Sequence, residues 1–220
     1  MIMRIRHETY AAVAGTVYLG LMTNVLLTAA CLPLVTLLIT TDPGRSWPLL
    51  ALAAPLGAPG VCAAFAVLAT YSSGGEVLVV RAFVKAWRAS ARRALGLGAA
   101  ASATLVVLGV DARAAWGHPV GAVALPVLVV AMTLVVATTL LALVVLAERP
   151  AARLRDACRV SVLLAVRHWA LTALSLGVLV LFEALLATRP AVALGLAAAP
   201  LLYVVWAGSR FSLNPALGPA

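Results

Sequence analysis

Long apolar stretches without charge recur along the chain, and six of them are long enough to cross a bilayer. A transmembrane helix needs about 17–25 mostly apolar residues to cross roughly 30 Å of hydrocarbon. Charged or turn-forming segments separate the stretches, as at Asp42-Pro43-Gly44. The predicted spans are residues 10–40, 47–71, 94–110, 119–147, 170–188 and 191–207.

Two segments between these spans have the pattern of basic amphipathic helices. Residues 74–93 place basic side chains on one stripe and a mostly apolar set on the other side. The basic residues are Arg81, Lys85, Arg88 and Arg92, and the opposite set is Val79, Phe83, Trp87 and Ser90. Residues 150–168 repeat the arrangement, with an apolar stripe of Leu154, Cys158, Val162, Ala165 and Trp169 displaced from Arg149, Arg153, Arg155 and Arg159. Such helices lie at the headgroup level, with Arg and Lys reaching phosphate.

The composition requires a membrane setting for this pattern. Hydrophobic residues make up 64% of the chain and charged residues 10%, whereas a soluble domain has about 25% charged residues. So few charges could not cover the surface of a soluble chain, and lipid must solvate most of this one. We therefore predict one all-α, polytopic membrane domain over residues 1–220, with six transmembrane helices and two basic amphipathic cytoplasmic helices.

The net charge of +9 raises the alternative of a nucleic-acid-binding protein, and the distribution of the basic residues decides against it. In the predicted topology, 13 of the 16 basic residues fall on one side of the membrane, and only Arg45, Arg113 and Arg189 fall on the other. This bias in short loops is typical of the cytoplasmic side. We expect a multi-pass protein of the inner (plasma) membrane with cytoplasmic N- and C-termini. Its expected partners are the bilayer and anionic phospholipid at the cytoplasmic face, and no nucleic acid.

The same segments supply the candidates for contact with lipid. The residues predicted to meet headgroups or the membrane interface are Arg81, Phe83, Lys85, Trp87, Arg88, Arg92, Arg155 and Arg159. Near an anionic leaflet, each basic residue contributes about 1 kcal/mol to membrane binding. Prolines are the candidates for shaping the helices. Pro33 is expected to kink the first span, and Pro55 and Pro59 to kink the second or to begin it as a broken helix.

Polar and small residues inside the spans are further candidates for function or packing. Glu183 is the only acid well inside a predicted span, where a carboxylate fits a proton or ion site unless it reaches the outer interface. Asn24 fits either an interhelical hydrogen bond or a substrate contact. On the third span, Gly96, Ala100 and Thr104 recur every four residues, which favours close helix packing.

Signatures of catalysis are missing from the sequence. His7, His118 and His168 form no metal-ligand spacing, and the three cysteines form no C-x-x-C pair. Neither a G-x-S-x-G sequence nor a nucleotide-binding loop is present. We therefore predict a non-enzymatic protein with no catalytic residue, no metal and no cofactor.

One stretch of the first span is similar to a known family. "TNVLLTAACLPLVTLL" contains Asn24, Leu32, Pro33, Val35 and Thr36 in an order that resembles the first helix of the bacterial YesL-like membrane proteins. The stretches "APLGAPGVCAAF" and "RAFVKAWRASARRAL" resemble the segments that follow in that family. The likeness covers roughly the first half of the chain and lacks the aromatic residue that the family has soon after the Asn. It implies a multi-span inner-membrane protein without a known reaction, whose relatives are often encoded beside carbohydrate uptake systems.

Three functions remain open at this point. The leading hypothesis is an accessory or scaffold component of a membrane system such as carbohydrate uptake, with transporter subunits as partners. The alternative is a small-molecule permease or channel whose pathway lies near Glu183, Asn24 and a broken second helix. A membrane-remodelling or lipid-contacting protein is the third, because of the two basic amphipathic helices.

Overall fold

The protein consists of helices packed side by side. A computed structural model describes residues 2–73, 78–149, 154–167 and 169–217, with side chains described from residue 14 to residue 211 apart from residues 43 and 166. The first seven helices are α1 (Ile2–Ala30), α2 (Leu32–Thr40), α3 (Pro43–Ser72), α4 (Val79–Ala115), α5 (Gly121–Glu148), α6 (Leu154–Arg167) and α7 (Trp169–Thr188). The last helix, α8, joins an α-helical turn (Pro190–Val192), a π-helical turn (Ala193–Ala197) and an α-helix (Ala198–Leu217).

The described part of the chain confirms the predicted fold class. Five helices are long and apolar enough to cross a membrane, and there are six spans if the bent pair of α1 and α2 counts as one. No strand occurs in the residues that the structure describes. The chain is therefore an all-α, multi-pass membrane protein. The predicted spans after the first correspond to α3, the second half of α4, α5, α7 and α8.

The two ends of the bundle differ in charge. The N-terminal half of α4 and helix α6 carry eight of the described basic residues and follow the C-terminal ends of α3 and α5 in the chain, and we call this end of the bundle the Arg-rich end. The opposite end holds the end of α2, the start of α3 and the α4–α5 connection. The most deeply buried residues lie in the half of the bundle nearer the Arg-rich end. They include Ala63, Phe65 and Val67 of α3 and Ala142 and Val144 of α5.

The first predicted span, residues 10–40, is broken into two helices. The segments Ala14–Ala30 and Leu32–Thr40 meet at an angle of 73°. Pro33 lies in the first turn of α2, where it has no backbone N–H to donate to the carbonyl of Ala29. The residue between the helices, Cys31, has φ −94° and ψ 10°, outside the α-helical region. The first predicted span is therefore a bent pair of helices, with Pro33 in the first turn after the bend.

The second span is one continuous helix, so of the two expectations for its prolines the broken helix is wrong, and the kink stays a prediction. Helix α3 runs through Pro48, Pro55 and Pro59. Because Pro55 has no N–H, the carbonyl of Ala51 lacks its usual helical donor. The Ser102 hydroxyl of α4 donates to that carbonyl at 2.6 Å. A neighbouring helix thus replaces the missing hydrogen bond, and the break in the fold lies in the first span instead.

A glycine of α4 permits the close approach that this hydrogen bond needs. A Cβ on Gly98 would lie 2.9 Å from the Cβ of Ala58 and 3.1 Å from the Cα of Pro55. The predicted packing face of Gly96, Ala100 and Thr104 is wrong, because these residues are exposed and a Cβ on Gly96 would meet nothing within 4 Å. Four-residue spacing alone does not reveal which face of α4 the partner helix covers.

Helix α4 also corrects the prediction of a separate amphipathic helix over residues 74–93. It is one helix of 37 residues, Val79–Ala115, with a length of about 55 Å at 1.5 Å per residue. Residues 74–77 lie outside the described part of the chain. Val79, Phe83 and Ser90 are buried, as the predicted stripe requires, but Trp87 is 39% exposed. Since the two halves are collinear, the basic half continues the direction of the span and does not turn to lie along the membrane.

The second predicted amphipathic helix, residues 150–168, corresponds to α6, and its buried face agrees in part with the predicted stripe: Ala165 is buried, and Leu154 and Cys158 pack against the core. Residues 150–153 and 168 lie outside the described part of the chain. The side chains of α6 that are buried are those of Ala157, Ser161, Leu164 and Ala165. Val162 and Trp169, both in the predicted stripe, are 41% and 73% exposed. Three of the four buried side chains carry at most one heavy atom beyond Cβ, so α6 presents its small residues to the bundle and its larger ones outward.

We expect Gly98→Leu to destabilise the protein by about 1–3 kcal/mol, because the new side chain would force α3 and α4 apart. Unfolding in detergent micelles, followed by circular dichroism, measures the change. Gly96→Leu is the matched control, since it makes the same substitution on an open face of the same helix. Equal stability of the two variants would contradict the close α3–α4 contact.

Candidate functional site

An apolar cavity of 380 Å³ lies between the helices, and we call it the chamber. Its walls include Leu34 of α2, Gly57 of α3, Ser102 of α4, Leu140 of α5, Phe182 of α7 and Leu202 of α8. Among the residues that the structure describes, no charged one lines it. Of its few polar groups, the hydroxyl of Ser102 donates to Ala51 and that of Thr139 donates to the carbonyl of Val135. Its surface therefore suits hydrocarbon and offers little to a hydrated ion or a polar solute.

The broken first span forms one side of the chamber. Leu34, Val35 and Leu38 of α2 line it together with Leu27 and Thr28 of α1. Because α2 turns by 73° away from the direction of α1, these two helices border the cavity from different directions. The bend at Cys31 and Pro33 therefore shapes the chamber.

Asn24 joins α1 to α8 through the π-helical turn. Its amide nitrogen Nδ2 donates to the carbonyl of Gly195 at 2.9 Å, and its Oδ1 accepts from the backbone N–H of Ala199 at 2.6 Å. In an uninterrupted α-helix, Ala199 N–H would donate to Gly195 C=O. In this turn, Ala198 N–H instead bonds to Ala193 C=O. The buried side chain of Asn24 thus replaces one backbone hydrogen bond of α8, which is the interhelical role considered for it.

Glu183 lies apart from both features. It is exposed on α7, whereas its neighbours Val178, Phe182 and Leu186 line the chamber and Glu183 does not. None of the residues of α7 is buried. Asn24 and Glu183, predicted to flank one pathway, therefore do not share a cavity within the described residues. The predicted proton or ion role of Glu183 remains a prediction.

The basic side chains predicted to meet lipid are exposed around the Arg-rich end. Arg81, Lys85 and Arg88 border an open groove with Tyr18 of α1. Arg92 on α4 is exposed too, as are Arg155 and Arg159 on α6. Phe83 differs from its neighbours because it is only 4% exposed and packs in the core. Phe83 therefore packs in the core and does not meet lipid, contrary to its prediction as an interface residue.

Sequence reasoning missed a cluster around Arg210 at the same end. The guanidinium donates to the hydroxyl of Ser72 at 2.8 Å and lies 3.7 Å from the Glu148 carboxylate. Its Cζ also lies 5.2 Å from the centre of the Trp206 ring, within the range of a cation–π contact. Arg210 thus joins the ends of α3, α5 and α8. One signal was available: Glu148 is an acid among many arginines at the end of an apolar span.

The described residues offer no arrangement for metal or nucleophilic chemistry. Among them, no group of three His, Cys, Asp or Glu side chains could hold a metal ion. Burial raises the pKa of the Cys158 thiol in α6, so this side chain is a weaker nucleophile at neutral pH than a free cysteine. The groups that remain are the apolar chamber and the cations at the two ends.

Comparison with known proteins gives no relative: no family model, no curated protein and no solved structure matches this chain. The resemblance to the YesL-like family therefore remains a prediction based on the residues quoted above. The site has to be interpreted from its own chemistry.

We expect Asn24→Leu to lower the free energy of unfolding by about 1–3 kcal/mol, because it removes the partners of Gly195 C=O and of the buried Ala199 N–H. Unfolding in detergent micelles measures this loss. The control is Thr23→Val, since the Thr23 hydroxyl is equally buried and has no hydrogen-bond partner in the described part of the chain. A loss for Thr23→Val as large as that for Asn24→Leu would argue against the bridging role of Asn24.

Proposed function

We propose that this chain is a non-enzymatic accessory or scaffold component of a bacterial inner-membrane system. The observation that carries the proposal is the apolar lining of the chamber, which contains neither Glu183 nor any other charged side chain. A protein that conducts polar solutes needs polar groups along its pathway to replace hydration. A component that supports another membrane protein does not need such a pathway.

The surface of α7 supports a role in assembly. None of its 20 residues is buried, and Val180 and Leu181 are 65% and 52% exposed. Glu183 is exposed on the same helix, about 8 Å from its end at Thr188. A carboxylate at that depth is costly against lipid and gains from a basic or polar group on a neighbouring protein. Helix α7 is therefore the proposed contact surface for a partner subunit.

Carbohydrate uptake is the proposed setting, and it rests on the resemblance to the YesL-like family. The residues that support it are Asn24, Leu32, Pro33, Val35 and Thr36 of the first span. Since relatives in that family are often encoded beside carbohydrate uptake systems, subunits of such a transporter are the expected partners.

The permease alternative has less support from the geometry. Both ends of the Asn24 amide bond to the backbone of α8, which supports a structural role for this side chain over a substrate contact. The described part of α3 is continuous, and it therefore lacks the half-helix ends that bind ions in many transporters.

The orientation that we propose places the Arg-rich end in the cytoplasm of a bacterial cell. The positive-inside bias of the sequence supports this orientation, and the exposed Arg81, Lys85 and Arg88 suit an anionic leaflet. The termini would then both be cytoplasmic.

Purification of the tagged protein in mild detergent should recover subunits of a transporter in near-stoichiometric amounts. A photo-crosslinking amino acid at Leu181 on α7 should capture the same subunit, because this position faces outward on the proposed contact surface. The matched control is Val130 on α5, which is 66% exposed but lies outside that surface. Mass spectrometry of the adducts identifies the partner.

The permease alternative predicts the reverse result. No protein would copurify, and liposomes containing the pure protein would leak solute selectively. Substitution Glu183→Gln would then abolish the leak. Unchanged flux in that variant would remove Glu183 from any pathway.

Orientation can be tested with single cysteines in a variant whose own cysteines are replaced by alanine. A membrane-impermeant maleimide added to intact cells should not label Arg88→Cys but should label Arg189→Cys, since both positions are exposed at opposite ends of the bundle. Labelling of Arg88→Cys from outside would place the Arg-rich end on the wrong side for this proposal.

A further inference from the structure

A groove at the end opposite the Arg-rich end adjoins the chamber. Its volume is 1140 Å³, and we call it the Arg113 groove. Leu34, Leu38, Ala54, Ser102 and Leu105 line both the groove and the chamber. The two cavities therefore meet along a shared wall formed by α2, α3 and α4, which we call the passage. Since the one hydroxyl in this passage, that of Ser102, donates to Ala51, the passage is apolar.

The outer end of the groove has the chemistry of a membrane interface. Arg113 lines it, together with Trp47 and Trp116, which are 50% and 76% exposed. Arg113 is exposed, and no acidic side chain lines the groove. Among the interactions of the described residues, none pairs Arg113 with an acid. Tryptophan is enriched where a membrane meets water, and an unpaired arginine there attracts an anion.

The dimensions match one lipid chain. Arg113 lies 11 residues after Ser102 on α4, a distance of about 16 Å at 1.5 Å per residue. One leaflet of hydrocarbon is about 15 Å deep, half of a 30 Å core. A chain whose headgroup meets Arg113 therefore ends at the passage or in the chamber. The chamber, at 380 Å³, exceeds by more than a factor of two the cavity of about 150 Å³ that holds a benzene ring.

We propose that the Arg113 groove and the chamber together bind one anionic phospholipid from the leaflet opposite the Arg-rich end. The phosphate pairs with Arg113, the glycerol region lies between Trp47 and Trp116, and one acyl chain passes Ala54 into the chamber. A zwitterionic lipid would bind less tightly, because its headgroup brings an extra positive charge close to Arg113. A soluble phosphate would leave the chamber unfilled. This site is independent of the accessory role, and it lies at the other end of the bundle from the cytoplasmic basic residues.

Equilibrium binding to the purified protein in detergent micelles tests the site, with native mass spectrometry counting bound lipids. The probes are phosphatidylglycerol, phosphatidylcholine with the same chains, and soluble glycerol phosphate. The wild-type protein should bind one phosphatidylglycerol more tightly than phosphatidylcholine and should not bind glycerol phosphate. Arg113→Gln should weaken phosphatidylglycerol binding about fivefold, the factor expected for one basic residue near an anionic headgroup, and Arg113→Lys should retain most of it.

Two further variants, one in the passage and one at another cation of the same membrane face, distinguish specific lipid binding from a general effect of charge. Ala54→Phe fills the passage and should weaken both lipids, whereas Arg45→Gln removes an exposed cation that lines neither cavity and should change nothing. Each variant is compared with the wild type by its unfolding midpoint without lipid, and Leu105→Trp replaces Ala54→Phe if the latter fails to fold. Equal binding of the two lipids, an unaltered preference in Arg113→Gln, full binding with the passage filled, or binding of glycerol phosphate would each overturn the proposal.

Discussion

The pairing of backbone groups in an environment without water is the constraint on which this fold depends. In hydrocarbon, every N–H and C=O needs a partner within the protein. At two of the places that break the regular helical pattern, a side chain from another helix supplies the missing partner. Ser102 supplies the donor that Pro55 removes, and Asn24 supplies both partners that the π-helical turn of α8 leaves open. The contacts α3–α4 and α1–α8 are therefore set by hydrogen bonds as well as by packing.

These repairs make the helix irregularities compatible with a stable membrane protein. Gly98 brings α4 close enough to α3 for the Ser102 bond, and the bend after Ala30 turns α2 toward the space beside them. The chamber is the volume that remains between α2, α4, α7 and α8. Its apolar character follows from the same rule, since the hydroxyls of Ser102 and Thr139 that border it are already engaged with backbone carbonyls. An apolar space in the middle of a membrane is compatible with a lipid chain and costs little to fill.

The sequence predicted the membrane class, the positions of most spans and the basic face of α4, because hydropathy and charge act through composition over many residues. It failed where the outcome depends on a partner helix. The Gly96 face and the α6 stripe have the right spacing, but only the position of α3 or α5 determines that Gly98 and Ala157 are the covered residues. The sequence predicted a kink at Pro33, whereas the continuity of α3 at Pro55 depends on a neighbouring helix, whose hydroxyl replaces the missing donor.

The π-helical turn of α8 has a consequence for the other end of the molecule. One extra residue in a helix rotates everything after it by about 100°, since an α-helix has 3.6 residues per turn. Trp206 and Arg210 follow the turn at Ala193–Ala197, so their direction is set by that insertion. Without it, the guanidinium would point away from Ser72 and Glu148, the two groups that it joins. By holding an extra residue in α8, Asn24 therefore determines which way the far end of that helix faces.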